Sequence, residues 1–287
     1  MPTDATPHDH DHDPLAHARA VLAQARHLLV DLDGTLVRDD GPLDGAARLL
    51  ERFRGRCAIV SNNSTHTASA LARRLARMGL RIDPDRIVLA GEQAIEYMRL
   101  NHPRARLLLA ASPMLQRHAL DAGCTLVDSD ADFVLLGLDR RLTHARLGML
   151  ATELRRGARL VVTNGDCSHP GAGGAVVPET GALMAALVAA SGVQPWRVLG
   201  KPGPLLLQEG LRRLGAEPAS ALLVGDNPDT DALGAERLGM ACVLVGSAPQ
   251  ACAPTVAALL NEAPRSPQYR LRESTSNVCR SVLIDLS

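Results

Sequence analysis

The segment HLLVDLDGT (27–35) ends an apolar run in two aspartates, Asp31 and Asp33, on either side of Leu32. Residues two apart in an extended chain face the same side, so both carboxylates are expected to open into one pocket. Gly34 then gives the backbone room to turn. Asp33 capping a following helix and Asp31 pairing with an arginine would be an ordinary structural use of the same residues. A second acidic cluster argues against that use: GDNPDTD (225–231) brings Asp226, Asp229 and Asp231 to the end of another apolar run. Carboxylates gathered at one edge repel one another unless a cation lies among them, and an all-oxygen ligand set favours Mg2+. Lys201, between Gly200 and Pro202, adds a positive charge at a further predicted strand end. SNNST (61–65) offers the Ser61 hydroxyl, the Asn62 and Asn63 amides and backbone N–H groups at a predicted helix start, a cradle for phosphate. Hydroxyl, lysine, carboxylates and a hard cation together are the components of phosphoryl transfer.

The elements that must position these groups alternate. Short Leu- and Val-rich runs at 27–33, 57–63, 86–92, 106–112, 132–139, 159–166, 196–202, 221–227 and 241–247 read as strands. Between them, segments such as 67–80, 143–157 and 202–215 repeat apolar residues at three- and four-residue spacing and read as helices. Continuous apolar strands separated by helices imply an α/β fold, a doubly wound parallel sheet covered on both faces. In such sheets chemistry sits at the carboxyl ends of the strands. Four predicted strands end in polar residues: HLLV-DLDGT, CAIV-SNNST, RVLG-KP and ALLV-GDNPDTD.

The bulk numbers narrow the partners. The 287 residues suit two domains. With 31 basic and 31 acidic side chains the chain has no global field for nucleic acid or an anionic membrane, and with 2% aromatics it has almost no stacking platforms. Six scattered cysteines (57, 124, 167, 242, 252 and 279) form no CxxC pair, a pattern of reduced thiols. The start MPTDATPHDHDHDPLAHA has no apolar signal-like stretch, and the run ALMAALVAA (182–190) is far below the ~20 residues of a membrane span. A cytoplasmic protein with neither nucleic acid nor membrane as partner is expected. The HDHDHD stretch (8–13) reads as a polar tail with no part in catalysis.

DLDGT, SNN, GKP and GDNPDTD, in that order, resemble the four motifs of the haloacid dehalogenase superfamily. The long insertion between SNN and GKP resembles the subclass with an inserted α/β (C2-type) cap, the sugar-phosphate and nitrophenyl-phosphatase-like enzymes. FVLLGLDRRLTHARL (133–147), VVTNGD (161–166) and VPETGALMAAL (177–187) are similar to phrases of that subclass. The resemblance covers about residues 26–246 and implies a Rossmann-like core with an inserted cap: a tail at 1–20, core at 21–102, cap at 103–194, core again at 195–265 and a second tail at 266–287.

It further implies a Mg2+-dependent phosphatase acting on a small phosphorylated metabolite. Asp31 would be the nucleophile and Asp33 the acid and base. Asp31, the backbone carbonyl of Asp33 and Asp226 would hold the metal, with Asp231 behind them or as an occasional direct ligand. Ser61, Asn62, Asn63 and Lys201 would hold the phosphate. Thr35 is expected to order the turn through backbone hydrogen bonds rather than react. The cap would close over the site, with His169 and Asp166 of the loop 164–178 as its substrate-facing polar residues and Cys167 a bland thiol. A homo-oligomer, if one forms, would use the cap. A phosphotransferase using the same intermediate and a non-catalytic phosphate-binding module are the alternatives.

Overall fold

The computed structural model describes residues 13–39, 41–170 and 175–261. Residues 8–12 of the His/Asp-rich stretch, the predicted tail at 266–287 and Cys279 lie outside the described residues. Helix α1 (Pro14–Gln24) leads into β1 (His27–Val30), a hairpin of β2 (Val37–Arg38) and β3 (Gly41–Pro42), α2 (Ala46–Arg52), β4 (Cys57–Ser61), α3 (Ala68–Arg77), β5 (Ile87–Leu89) and α4 (Ala90–Asn101). The chain then builds β6 (Arg106–Ala110), α5 (Pro113–Asp121), β7 (Thr125–Leu126), β8 (Phe133–Leu136), α6 (His144–Arg155) and β9 (Arg159–Val162). A hairpin of β10 (Ser168–Pro170) and β11 (Val176–Pro178), α7 (Thr180–Ser191) and β12 (Arg197–Val198) follow. It returns through α8 (Leu205–Leu214), β13 (Ala221–Gly225), α9 (Leu233–Arg237), β14 (Ala241–Leu244) and α10 (Val256–Leu259).

Two parallel five-stranded sheets result, in the orders β14-β13-β1-β4-β5 and β12-β9-β8-β6-β7. The two-residue period of a strand sorts its side chains between layers. In β1, Leu28 and Val30 face α1, α2, α3 and α10, whereas Leu29 faces α8 and α9. The first sheet is therefore doubly wound. In the second, or cap, sheet, Leu107 and Leu109 pack toward α4 and α5, and Leu108 and Ala110 toward α6 and α7. The amphipathic pattern that predicts α3 holds: Thr67 caps it, and Ala68, Leu71, Ala72 and Leu75 form its buried stripe. No helix among the described residues is long and apolar enough to cross a membrane.

Two expectations change. Residues 14–20, read from sequence as part of the polar tail, are helical. Asp13 caps α1 by accepting from Leu15 N–H at 3.0 Å, Pro14 occupies the first helical position, and Ala18 and Leu22 are buried in the first core. Arg19 adds a fork, donating from Nε and Nη2 to the Ala258 carbonyl at 3.0 and 2.8 Å. The run WRVLGKP, expected to carry Lys201 from the core sheet, instead forms β12 at the edge of the cap sheet, where Arg197 and Val198 pair with Val161 and Val162. In the first sheet both sides of β1 are already taken, by β4 and β13, so the run cannot lie beside the strand that carries Asp31.

If α1 is part of the core, Leu22→Ala should destabilise the protein by about 2–5 kcal/mol, the cost of a cavity in a packed interior. A polar tail would tolerate the change within about 0.5 kcal/mol. Denaturant unfolding distinguishes the two.

Candidate active site

In the first sheet the chain moves outward from β1 to β4 and β5, then crosses to β13 and β14 on the other side. The crevice at this switch point lies over the carboxyl ends of β1, β4 and β13, where α/β sheets hold their ligands. Asp31 is the first residue beyond β1, its N–H donated to the Val224 carbonyl at 2.9 Å. Ser61 is the last residue of β4, and Asp226 follows β13 directly. A wide π-helical turn, Pro228–Ala232, brings Asp231 back against Gly225, so closely that a Cβ there would lie 2.4 Å from the Asp231 carboxyl carbon. Asp231 accepts the Asn227 N–H at 3.2 Å and is 1% exposed, whereas Asp229 stays on the outside of the turn. Gly34 allows the turn after Asp33, at φ +86°, and leaves room for Asp226: a Cβ would lie 2.0 Å from its Oδ2.

Lys201 reaches this edge from the cap sheet. Its Nζ donates to Asp31 Oδ1 and to Asp231 Oδ1, both at 2.6 Å, and the residue is 3% exposed. Burial alone would lower the lysine pKa, but Asp231 and Asp31 override it and hold the ammonium form. Oxygens of Asp31, Asp226 and Asp231 lie within 4.8 Å of one another. Three carboxylates against one ammonium leave a deficit of two positive charges (three minus one). Burial, and then repulsion from Asp231 and Asp226 against the pull of Lys201, pushes the Asp31 carboxyl well above its usual range. Burial and Asp231 push Asp226 up to about 6. An oxygen-only, over-acidic cluster fits a hard divalent cation.

The other predicted residues divide. Asp33 is accessible at the mouth yet crowded by protein. That crowding raises its pKa against the opposing effects of Lys201, Arg74 and His169 and a hydrogen bond from Ser61. The Ser61 hydroxyl also accepts the Asn63 N–H at 3.1 Å. Asn63 Oδ1 accepts the N–H groups of Thr65 and His66 at 3.1 and 3.0 Å, closing the turn before α3. The Asn62 side chain is taken up by Lys201 and Asp166. His169, on the β10–β11 hairpin and 46% exposed on its side chain, pairs with Glu179 at 2.8 Å. Thr35 is buried with no hydrogen-bond partner for its hydroxyl among the described residues, and the turn is held by backbone bonds, Gly34 N–H to the Val37 carbonyl at 2.8 Å among them. Cys167 is exposed, donating only to the Gly165 carbonyl at 3.8 Å.

Sequence reading missed the joint between the sheets. Asn164, 1% exposed, donates to the Asn62 carbonyl at 2.9 Å and lies 3.2 Å from the Thr180 hydroxyl. The Ser64 hydroxyl meets Thr180 Oγ1 at 3.1 Å and accepts the Leu138 N–H at 3.1 Å. A signal existed: RLVV-TNGD ends in polar residues as the four noted strands do.

The crowding has a measurable consequence. Asp226 carries a folded pKa of about 6 against 3.8 unfolded, so between these values the folded state binds more protons. The stability this gives is complete below pH 3.8 and disappears as pH rises through 6. Asp31, raised in the same direction, adds to it. Chelator-treated protein should therefore show a falling melting temperature over this window, and Asp226→Asn should flatten the fall. A melting temperature that rises across it would contradict the crowding.

Comparison with known proteins agrees with this geometry. Residues 28–125 match the family model of haloacid dehalogenase-like hydrolases, and residues 198–267 match a second, HAD-hydrolase-like model. An acid sugar phosphatase of Staphylococcus epidermidis is 31% identical over 216 residues, 74% of this chain and 83% of that protein. The structure of a 4-nitrophenylphosphatase from Thermotoga maritima is 31% identical with a TM-score of 0.74, covering 80% of this chain and 90% of that one. A glycerol phosphate phosphatase from Mycobacterium tuberculosis, solved in complex with magnesium, is 28% identical with a TM-score of 0.74 over 84% of this chain and 79% of that one. The chain belongs to the haloacid dehalogenase-like hydrolases, in the capped subclass that resembles the sugar and nitrophenyl phosphatases.

Proposed function

We propose that this chain is a Mg2+-dependent phosphatase that hydrolyses a small-molecule phosphate monoester through a phosphoryl group carried on Asp31. The observation that carries the reading is the buried triad. Lys201 holds Asp31 and Asp231 at 2.6 Å each, while Asp226 completes an oxygen-only cluster beside the accessible Asp33. Stability alone gives no reason to crowd three carboxylates at a strand edge. The names of the relatives, acid sugar phosphatase, nitrophenyl phosphatase and glycerol phosphate phosphatase, support a small phosphate ester as substrate.

Lys201 engages Asp31 Oδ1 and fixes the carboxylate for in-line approach, with Oδ2 offered to phosphorus. The bond from Asp31 to phosphorus forms as the bond to the leaving oxygen breaks. Asp33 gives that oxygen its proton. Water then attacks the phosphoryl group, Asp33 takes its proton, and Asp31 and inorganic phosphate are released. The Ser61 hydroxyl, the backbone N–H of Asn62 and the third hydrogen of the Lys201 ammonium would hold the phosphate oxygens as charge shifts onto them. Asp31, the Asp33 carbonyl and Asp226 would hold Mg2+, with Asp231 kept on Lys201. When bound, the ion offsets the negative charge of the cluster and of the phosphate. His169, on the cap hairpin and paired with Glu179, is in this reading the cap's contact to the leaving group.

A panel of a few dozen phosphate monoesters, assayed for phosphate release with Mg2+, tests the reading directly. Asp31→Asn should lower kcat by several orders of magnitude while the melting curve is retained, because a nucleophile has no substitute. Retention of about a tenth of the activity or more would remove Asp31 from that role. A chelator should stop turnover and Mg2+ should restore it. Turnover that persists in the chelator would mean that the acidic cluster serves something else.

A further inference from the structure

The Asn62 side-chain amide is committed to two places at once. Its Oδ1 accepts the Lys201 N–H at 2.8 Å, and its Nδ2 lies 3.2 Å from both the Lys201 carbonyl and Asp166 Oδ1. It thus grips both backbone polar groups of the residue whose ammonium joins Asp31 to Asp231, and it does so while touching the cap loop. Gly200 makes the fit possible: a Cβ there would lie 2.6 Å from Asn62 Oδ1 and 2.8 Å from both Asn164 Cβ and the Thr163 carbonyl. Asp166 is itself anchored on the cap side. Its N–H donates to Asn164 Oδ1 at 3.2 Å, and its carbonyl accepts the Gly181 N–H at 2.7 Å.

A phosphate ligand would keep its amide hydrogens free for the anion, and these are occupied. We infer that Asn62 is a positioning residue: it seats the Lys201 backbone and, through its bond to Asp166, makes that seating depend on the cap loop being in place. Asp166 then acts as an anchor for Asn62 and not as a substrate contact. The catalytic part of this inference rests on the phosphatase reading above, whereas the coupling of Asp166 to Lys201 does not.

The test compares Asn62→Ala, Asp166→Ala, the double variant, and Asp166→Asn, whose side-chain oxygen still accepts from Asn62. Displacing a lysine that holds the nucleophile should lower kcat on the order of 10- to 100-fold in Asn62→Ala. The inhibition constant of inorganic phosphate, which Lys201 also holds, should rise by less than kcat falls. The double variant should be no worse than Asn62→Ala, and Asp166→Asn should keep most of the activity that Asp166→Ala loses. Unchanged kcat with KM and the phosphate constant rising together would make Asn62 a phosphate ligand. Losses that multiply in the double variant would overturn the coupling.

Hydrogen exchange of the full chain without substrate gives a readout free of turnover. Asp166→Ala should speed exchange at residues 198–203 as well as at 164–168, and Asp166→Asn should not. Unchanged exchange at 198–203 in Asp166→Ala sinks the proposal. Should Asn62→Ala fail to fold, the two Asp166 variants decide alone. A wild-type protein that hydrolyses none of the esters would defeat the phosphatase reading while leaving the exchange result to judge the coupling.

Discussion

Two carboxylates and one ammonium share a volume that solvent barely reaches, and most of the architecture follows from keeping them there. Burying an ion costs several kcal/mol, offset only where the partners are held in good geometry. Asp31 and Asp231 lie 2.6 Å from Lys201 Nζ on either side, and no single element of the fold could supply all three. The central strand β1 delivers the first carboxylate, and the wide turn after β13 folds the second back beneath it. The ammonium arrives from the other sheet. The triad is therefore a statement about how the two sheets are seated, because a shift of either one would strand a charge without its partner.

The joint between the sheets has the same character on a neutral scale. Ser64, Asn164 and Thr180 are buried and bonded to one another and to the backbone of Asn62 and Leu138. An apolar joint could slide by small amounts at little cost. A buried polar one loses hydrogen bonds with each displacement, and each unpaired group costs about 1–3 kcal/mol. This favours one seating over many, which a site built from both sheets requires.

Much of the site was legible because strands that end in charge are rare on stability grounds alone. Asp31, Asp33, Lys201 and Asp226 stand out on that criterion, and the structure brings them to one crevice. Within GDNPDTD the spacing alone ranks no aspartate, and it is the family resemblance that singles out Asp226 and Asp231. The wide turn is what puts Asp231 in and leaves Asp229 out. The alternation of strands and helices revealed the α/β layers, but it could not say which sheet a short apolar run joins. WRVLG reads alike in either, and its place at the cap edge is set by pairing with Val161 and Val162. Helix α1 was hidden for a different reason: its inward face relies on Ala18 and Leu22, one of them an alanine, so it lacks the bold stripe of α3. Asn164 escaped notice although its strand ends in polar residues, and Thr180 because a polar side chain declares itself a buried partner only when its counterpart is in place.

Strand β12 bears on how this family can be recombined. Only Leu199 and Gly200 separate its end from Lys201, so the inserted unit carries part of the reactive machinery on its own exit segment. Exchanging caps between relatives to alter selectivity is thus not a swap of lids on a finished enzyme. A seam placed between Val198 and Lys201 would cut through the clamped glycine, where a Cβ would lie 2.6 Å from Asn62. A graft joined beyond Lys201 would import a donor lysine into a recipient's carboxylates. The natural unit of exchange runs through Lys201 and includes the residues of β4's exit that hold it, which makes selectivity and chemistry in this chain inherit together.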